Sequence, residues 1–318
     1  MVPNWSFGIR PDEIQKNVDA ARDEGAEVVV LLSHNGFDVD QKLATVVSGI
    51  DVILTGHTHD AVPEALKIGK TLLLSSGSHG KYLGRIDLEV KGGEVVDYSS
   101  TLIPVFSDVI TPDPEMAAHI NKLRAPYESE CSRVIGQTNN LLYRRGNFNG
   151  TWDDVICQGI IEERDVEISL SPGFRWGTTL LPGQSITIDD LYAQTSMNYP
   201  NVYRTEMTGQ QLKDILEDVC DNLFNIDPFY QQGGDMVRVG GMNYSCSPKA
   251  NMGSRISDMT LARTGEPIEA NRNYSVGGWA SINENVEGPA IYDLMEGYIS
   301  RKKIIDLPMQ QAVKVVGM

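Results

Sequence analysis

The sequence predicts an α/β protein in two units, on three observations. Over the first hundred residues, short β-branched apolar runs alternate with amphipathic stretches: AEVVVLLS (26–33), DVILTG (51–56) and TLLLSSG (71–77). That alternation is the signature of a layered α/β domain. A loop carrying Pro104, Pro112 and Pro114 and then a polar helical stretch interrupt the pattern. Beyond them lies a Gly-rich segment and a second set of strand and helix signals. The reading places a partial α/β domain at 1–110, a linker helix at 111–130 and a second α/β domain at 131–318.

Pro11–Glu24 reads as a helix. Pro11 suits the first turn, Asp12 and Glu13 favour its positive end, and Ile14, Val18 and Ala21 form one stripe. Gly25 closes it, and 26–33 follows as a buried strand. A helix over about 39–48 leads to the strand at 51–56, and a third strand covers 71–77. GRIDLEV (84–90), Lys91-Gly92-Gly93 and EVVDYSS (94–100) read as a hairpin. MAAHINKLRAPYESE (116–130) is the linker helix, with Pro126 set to kink or end it. In the second unit ITIDDLYAQ is helical, NVYRTEM (201–207) is a strand, and TGQQLKDILEDVCDNLF (208–224) is an amphipathic helix with Thr208 as N-cap.

The formal net charge is −16, and the acidity is spread along the chain: 9 basic and 16 acidic residues in 1–110, against 18 and 27 in 111–318. With no basic half, a nucleic-acid backbone binder and an anionic-membrane binder are both disfavoured. No apolar run reaches the length of a membrane span. The opening MVPNWSFGIRPDE has no basic region, apolar stretch or cleavage site of a signal peptide. It reads as a loop running into a helix, with Met1 an internal methionine of a longer chain. Cys131, Cys157, Cys220 and Cys246 lie far apart, without a CxxC, and read as free, mostly buried thiols, though a bridge or two stays open in an exported protein.

Three of the five histidines sit in one kind of place. His34 follows the first strand in LLSHNG, and His57 and His59 follow the second in LTGHTHD, 23 residues on. The carboxyl ends of parallel strands open on the edge where α/β sheets carry ligands. In an extended loop, residues two apart point the same way, so His57 and His59 are expected to face one site. Gly36 and Gly56 allow close backbone approach. Neutral imidazole is the commonest protein metal ligand, and this pattern predicts metal binding by His34, His57 and His59. His79, in SGSHGKYLG, lines the same edge or serves its loop, and His119 falls on the linker helix.

LLSHNG, LTGHTHD and SGSHGKYLGRIDL, followed by a linker helix and a second α/β domain, resemble the 5′-nucleotidase branch of the calcineurin-like metallophosphoesterases. The resemblance implies a layered metallophosphoesterase domain, of which this chain has the carboxyl-terminal half, and a 5′-nucleotidase-type carboxyl-terminal domain. It implies two-metal hydrolysis, with His34 and His57 on one ion and His59 on its neighbour. The family also requires a DxH, a GD with a bridging Asp and a GNH(D/E) before the first of these motifs. None of them occurs here, so the bridging carboxylate, the Asn ligand and the catalytic His are missing. The expectation is a carboxyl-terminal fragment, or else a non-catalytic degenerate binding module. Either way the metal site is incomplete and hydrolysis by the chain alone is weak or absent.

The second unit narrows the resemblance. SLSPGFRWGTTLLPGQ (169–184) resembles the arginine-bearing loop of nucleotidases, but YSVGGWASINENVEGPAIYDL (274–294) replaces their base-stacking pattern. With QGGDMVRVGGMNYSCSP (232–248), these segments resemble the SoxB family of thiosulfohydrolases. That resemblance implies a periplasmic enzyme with two manganese ions that releases sulfate from a cysteine S-thiosulfonate on the SoxYZ carrier. Zinc and iron suit the same donors. A sulfonate is a tetrahedral oxyanion, and Arg175 is the residue expected to hold it, or to form an interdomain salt bridge. Trp176 and Trp279 line a channel for the carrier's arm or pack in the core. Asn283, Glu284 and Asn285 form a recognition loop or a solvated turn. Arg238 reads equally as a second anion contact or a paired strand residue. A nucleotidase remains the alternative of the same chemistry.

Overall fold

The computed structural model describes residues 4–144, 146–174, 177–281 and 286–317. The chain divides into two compact units: residues 1–113 with 225–233, and 114–224 with 234–318. Both mix helices and strands, an α/β architecture throughout.

The first unit runs α1 (Pro11–Asp23), β1 (Val30–Ser33), α2 (Phe37–Val46), β2 (Val52–Thr55), β3 (Leu66–Ile68), β4 (Thr71–Ser75), β5 (Tyr82–Lys91) and β6 (Glu94–Pro104). β1, β2 and β4 pair in parallel and β3 adds antiparallel, in the order β1-β2-β4-β3. Side chains alternate across such a sheet. Ile53 and Leu73 face α1 and α2, where Val18, Leu43, Val47 and Ile50 complete a buried cluster. Val52, Leu72 and Leu74 face the other way, toward Ile86, Leu88 and Tyr98 of the β5–β6 hairpin. The hairpin turns on Gly92 and Gly93, both at positive φ, the geometry that matches strand twist.

One strand departs from expectation. The 26–33 run reads as buried on both faces, yet β1 is only four residues long and ends the sheet among the described residues. On the hairpin side it is bare: Val30 is 52% and Leu32 83% exposed.

Residues 225–233 lie in sequence between elements of the second unit but group with the first. Phe229 packs into the α1–α2 cluster. The Lys42 ammonium bonds Asp227 and sits 4.1 Å over the Phe229 ring.

The second unit runs α3 (Pro114–Arg124), α4 (Glu128–Cys131), β7 (Val134–Thr138), α5 (Thr151–Arg164), β8 (Ile168–Ser171), β9 (Ser185–Thr187), α6 (Ile188–Thr195), β10 (Tyr203–Thr208), α7 (Gly209–Phe224), β11 (Arg238–Gly240), β12 (Met242–Cys246), β13 (Ile256–Leu261), β14 (Asn273–Gly278), α8 (Ile291–Lys302), β15 (Ile304–Ile305) and β16 (Val313–Val315). Instead of one linker helix there are two short ones, because the residue before a proline resists the helical region and α3 ends two residues short of Pro126. The main sheet is β10-β14-β8-β11. α5 is buried along most of its length through Trp152, Ile156 and Ile160, packed with α6 and α8. A second cluster joins α7 (Leu212, Leu216, Cys220) to β12 (Met242, Tyr244, Cys246). Thr208 caps α7 as expected: its hydroxyl accepts from Gln211 N while Gln211 Oε1 accepts from Thr208 N, the reciprocal pair of a capping box. All four cysteines are free thiols, and Cys157, Cys220 and Cys246 are buried. Among the described residues no helix is long and apolar enough to cross a membrane.

Candidate metal site at the strand ends

Asp40 on α2 organises the sheet edge. It is fully buried, and one carboxylate oxygen accepts from Ser33 Oγ at the end of β1 (2.8 Å) and from Asn35 Nδ2 (3.2 Å). The other accepts from Thr55 Oγ1 at the end of β2. One carboxylate thus ties together the two strand ends from which His34 and His57 emerge. Sequence reasoning missed it, although a buried acid one turn into a helix after SHNG has few other purposes.

Gly56 lets the His34 ring lie against the backbone. A Cβ built there would stand 3.3 Å from His34 Nδ1. The His34 and His57 rings meet edge to face with centroids 5.1 Å apart. The extended backbone assumed for His57 and His59 is not found: both have positive φ, +73° and +59°. The chain turns at each of them, so the alternation rule does not apply. His59 instead lies beside His79, centroids 6.2 Å apart and nearly perpendicular. The structure thus makes two histidine pairs.

His57 is held from outside. Its Nε2 is 2.6 Å from the carbonyl oxygen of Gln232, in the 225–233 segment of the same unit. A carbonyl only accepts, so Nε2 carries the proton and donates, leaving Nδ1 as the lone-pair nitrogen. Gly233 makes the approach possible: a Cβ there would sit 2.7 Å from two atoms of the His57 ring. This is the outer-shell arrangement that fixes the tautomer of a metal-binding histidine.

A cleft of about 630 Å³ opens along this edge, between the bare face of the sheet and the hairpin. Ser33, His34, Ser76 and Arg85 supply its polar atoms, and Leu32, Leu54, Ile86 and Ile103 its apolar wall.

A catalytic site takes about three protein ligands per ion, and among the described residues no group of three His, Cys, Asp or Glu is placed to hold one. His34 and His57 bring two imidazoles together, and His59 lies beside His79. The described residues do not by themselves make a metal site.

The second unit decides two residues that the sequence left open. Arg238, on β11, is 2% exposed; its guanidinium lies 3.2 Å from Asp153 and 2.9 Å from Asp235, and donates to the Gly146 carbonyl at 2.6 Å. Its burial and its two carboxylate neighbours are those of a paired strand residue. Trp279 is 4% exposed, donates from Nε1 to Ser171 Oγ (2.8 Å), and meets the Phe174 ring edge-on at 6.0 Å. It packs in the core. Arg144, which sequence reasoning missed, is buried against Asp153 (2.7 Å) and donates to the carbonyls of Gln194 (2.6 Å) and Pro172 (2.9 Å). It thereby anchors the start of the 172–184 loop. Beside this network, burial and the neighbouring Asp153 push Asp154 up to about 7, against a hydrogen bond from Gln310 N. Arg175, Trp176, Asn283, Glu284 and Asn285 lie outside the described residues.

Three comparisons set this geometry among known proteins. The structure of the Thermus thermophilus sulfate thiohydrolase SoxB, solved with glycerol, superposes with a TM-score of 0.93 at 36% identity, over 98% of this chain and 59% of that one. The trifunctional nucleotide phosphoesterase YfkN of Bacillus subtilis is 24% identical over 78% of this chain and 17% of its own. The 5′-nucleotidase of Diplobatis ommata is 23% identical over 80% of this chain and 48% of its own. The chain therefore spans less than two thirds of each. The family model for the carboxyl-terminal domain of 5′-nucleotidases matches residues 134–297, just over half of the sequence and wholly inside the second unit apart from 225–233. The chain belongs to the 5′-nucleotidase C-terminal domain family.

Proposed function

We propose that this chain is the carboxyl-terminal part of a SoxB-type dimetal hydrolase that releases sulfate from a cysteine S-thiosulfonate on the SoxYZ carrier in the periplasm. The observation that carries this reading is the likeness to the sulfate thiohydrolase SoxB, which extends over 98% of the chain at 36% identity. The two phosphoesterase relatives named above are 23–24% identical.

Within that reading, His34, His57 and His59 would be this chain's share of the ligands, and a bound metal pair, manganese by family resemblance, would supply Lewis-acid chemistry at the sulfonate. The protein's own part is placement. Asp40 fixes the two strand ends, and the Gln232 carbonyl holds the His57 ring with Nδ1 turned away from it. Arg144 fixes Pro172, from which the chain leads to Arg175, the residue assigned to the sulfonate oxygens. A planar guanidinium matches such an oxyanion. Asn283, Glu284, Asn285 and Trp176 are assigned to substrate recognition.

The test uses the whole protein that contains this chain, loaded with manganese. Sulfate release from carrier-bound cysteine S-thiosulfonate is followed by ion chromatography, and phosphate release from AMP is followed in parallel. Sulfate release with Arg175→Met at least 100-fold slower supports the reading. Phosphate from AMP without sulfate replaces it with a nucleotidase. Neither product from a metal-loaded protein leaves a non-catalytic binding module.

A further inference from the structure

Cys220 on α7 and Cys246 at the end of β12 are both fully buried, and their sulfurs lie 3.5 Å apart. We propose that these two thiols are a cross-linking site, closed to a disulfide by a dithiol-exchanging oxidant, which staples α7 to β12.

The surroundings favour closure. Both side chains sit in one apolar cluster with Leu216, Met242 and Tyr244, so neither sulfur has water to compete for it. The two sulfurs are in hydrogen-bond contact, and either can donate. That bond holds the Cys246 thiol below its ordinary value, and the same bond, then burial, push Cys220 up. Whether Cys246 or Cys220 attacks the oxidant first, the product is the same. The other cysteines are placed differently. Cys157 lies against Ser169 on α5, and Cys131 is partly exposed on α4.

The chemistry balances with an external disulfide as oxidant. Written with Cys246 first, its thiolate attacks one sulfur of that disulfide and expels a thiolate, giving a mixed disulfide. Cys220 then loses its proton and attacks the Cys246 sulfur, expelling the second thiolate. Two protein S–H bonds and one external S–S bond break. One protein S–S bond and two external S–H bonds form, and two electrons pass to the oxidant. Because neither sulfur is accessible in the folded chain, exchange belongs to folding or to local opening of α7.

Such a bond joins the two ends of an excursion of the chain. The residues between Cys220 and Cys246 include 225–233, whose Gln232 carbonyl holds His57. Cross-linking their flanks restricts the unfolded chain, the usual source of disulfide stabilisation.

The experiment refolds the chain in a mixture of oxidised and reduced glutathione, blocks free thiols by alkylation and maps peptides by mass spectrometry without reduction. The expected result is a Cys220–Cys246 linked peptide, with Cys131 and Cys157 alkylated. Thermal melts of the oxidised chain should fall by roughly 6–12 °C on adding dithiothreitol. The melt of Cys246→Ala should not respond to reductant. Because that variant removes a core side chain and can fail to fold, the wild-type peptide map decides independently. Four alkylated cysteines, a link through Cys131 or Cys157, or glutathione retained on Cys246 would each overturn the proposal.

Discussion

Replacing Gly233 by alanine tests how His57 is held. Gly233 has a φ of +72°, and an ideal Cβ there falls 2.7 Å from both Cδ2 and Nε2 of the His57 ring. An L side chain in the left-handed region costs roughly 1–2 kcal/mol by itself. The overlap cannot be absorbed in place, so the ring turns or the segment lifts. Either movement breaks the 2.6 Å bond from Nε2–H to the Gln232 carbonyl, worth a further 0.5–1.5 kcal/mol or so. The expected loss is about 2–3 kcal/mol in the first unit, with His57 losing its single tautomer.

Gly234 supplies the control. Its φ is +90°, but nothing lies within 4 Å of a Cβ built on it, so alanine there strains the backbone alone. The assay is a long-range proton–nitrogen correlation of the histidine rings in the ¹⁵N-labelled, metal-free chain, combined with urea unfolding followed through the same signals. Wild type and Gly234→Ala should both show His57 as the Nε2–H tautomer. Gly233→Ala should show a mixture and a urea midpoint lower than that of Gly234→Ala. If the two variants share ring signals and midpoints, the Gln232 carbonyl does not orient His57 and the outer-shell argument fails.

Asp154 predicts a pH dependence. Its carboxyl rises from an ordinary 3.8 to about 7 in the folded chain, so the folded state disfavours the charged form. Stability from this group is fully present below about pH 4 and is lost as pH climbs through about 7, by roughly 2–4 kcal/mol. Asp154→Asn should flatten the fall in melting temperature between pH 4 and 8, and an unchanged slope would contradict the assignment. Arg238→Met leaves Asp153 and Asp235 short of a buried partner and should cost about 3–5 kcal/mol in denaturant unfolding of the second unit. A near-neutral effect would return Arg238 to the list of candidate anion contacts. Asp40→Ala strips the acceptor from Ser33, Asn35 and Thr55 and should cost about 3 kcal/mol, while Asp40→Asn, which keeps one oxygen, should cost less. Equal melting temperatures for these two variants would mean that the strand ends do not depend on the carboxylate.

What was legible in the sequence was local or followed from strand direction. The runs at 51–56 and 71–77 carry enough β-branched and leucine residues to be strands, and parallel strands put their following loops on one edge, so His34 and His57 come together. Thr208 was readable because a cap depends on residues three apart. The rest depends on long-range partners. VVVLL looks the same whether one face or two are covered, so the exposure of Leu32 left no trace in it. The orientation of His57 relative to His59 rests on two positive φ angles at non-glycine residues, which no composition signals. The roles of Arg238 and Trp279 were decided by Asp153 and Ser171, which are 85 and 108 residues away in sequence. The affiliation of 225–233 is settled by Phe229 and Asp227 against α2, a contact across more than 180 residues.

The buried charges bear on how an anion would be met by a chain at −16. Among the described residues, Arg144 and Arg238 are buried cations near the 172–184 segment, and both are ion-paired with Asp153 or Asp235. A desolvated ion pair offers an incoming anion little net field, and exposed cations are screened within about a Debye length. The pairing gives instead a rigid anchor, since the Arg144 guanidinium grips the carbonyls of Pro172 and Gln194 together. Breaking the network should therefore act through the placement of the segment that begins at Pro172, and not through lost charge. Under the proposed function this separates two kinds of mutant by their salt response. A variant that removes Arg175 takes away a positive charge assigned to the substrate and should flatten the ionic-strength dependence of substrate KM. A variant that loosens the Arg144 anchor should lower kcat while leaving that dependence intact.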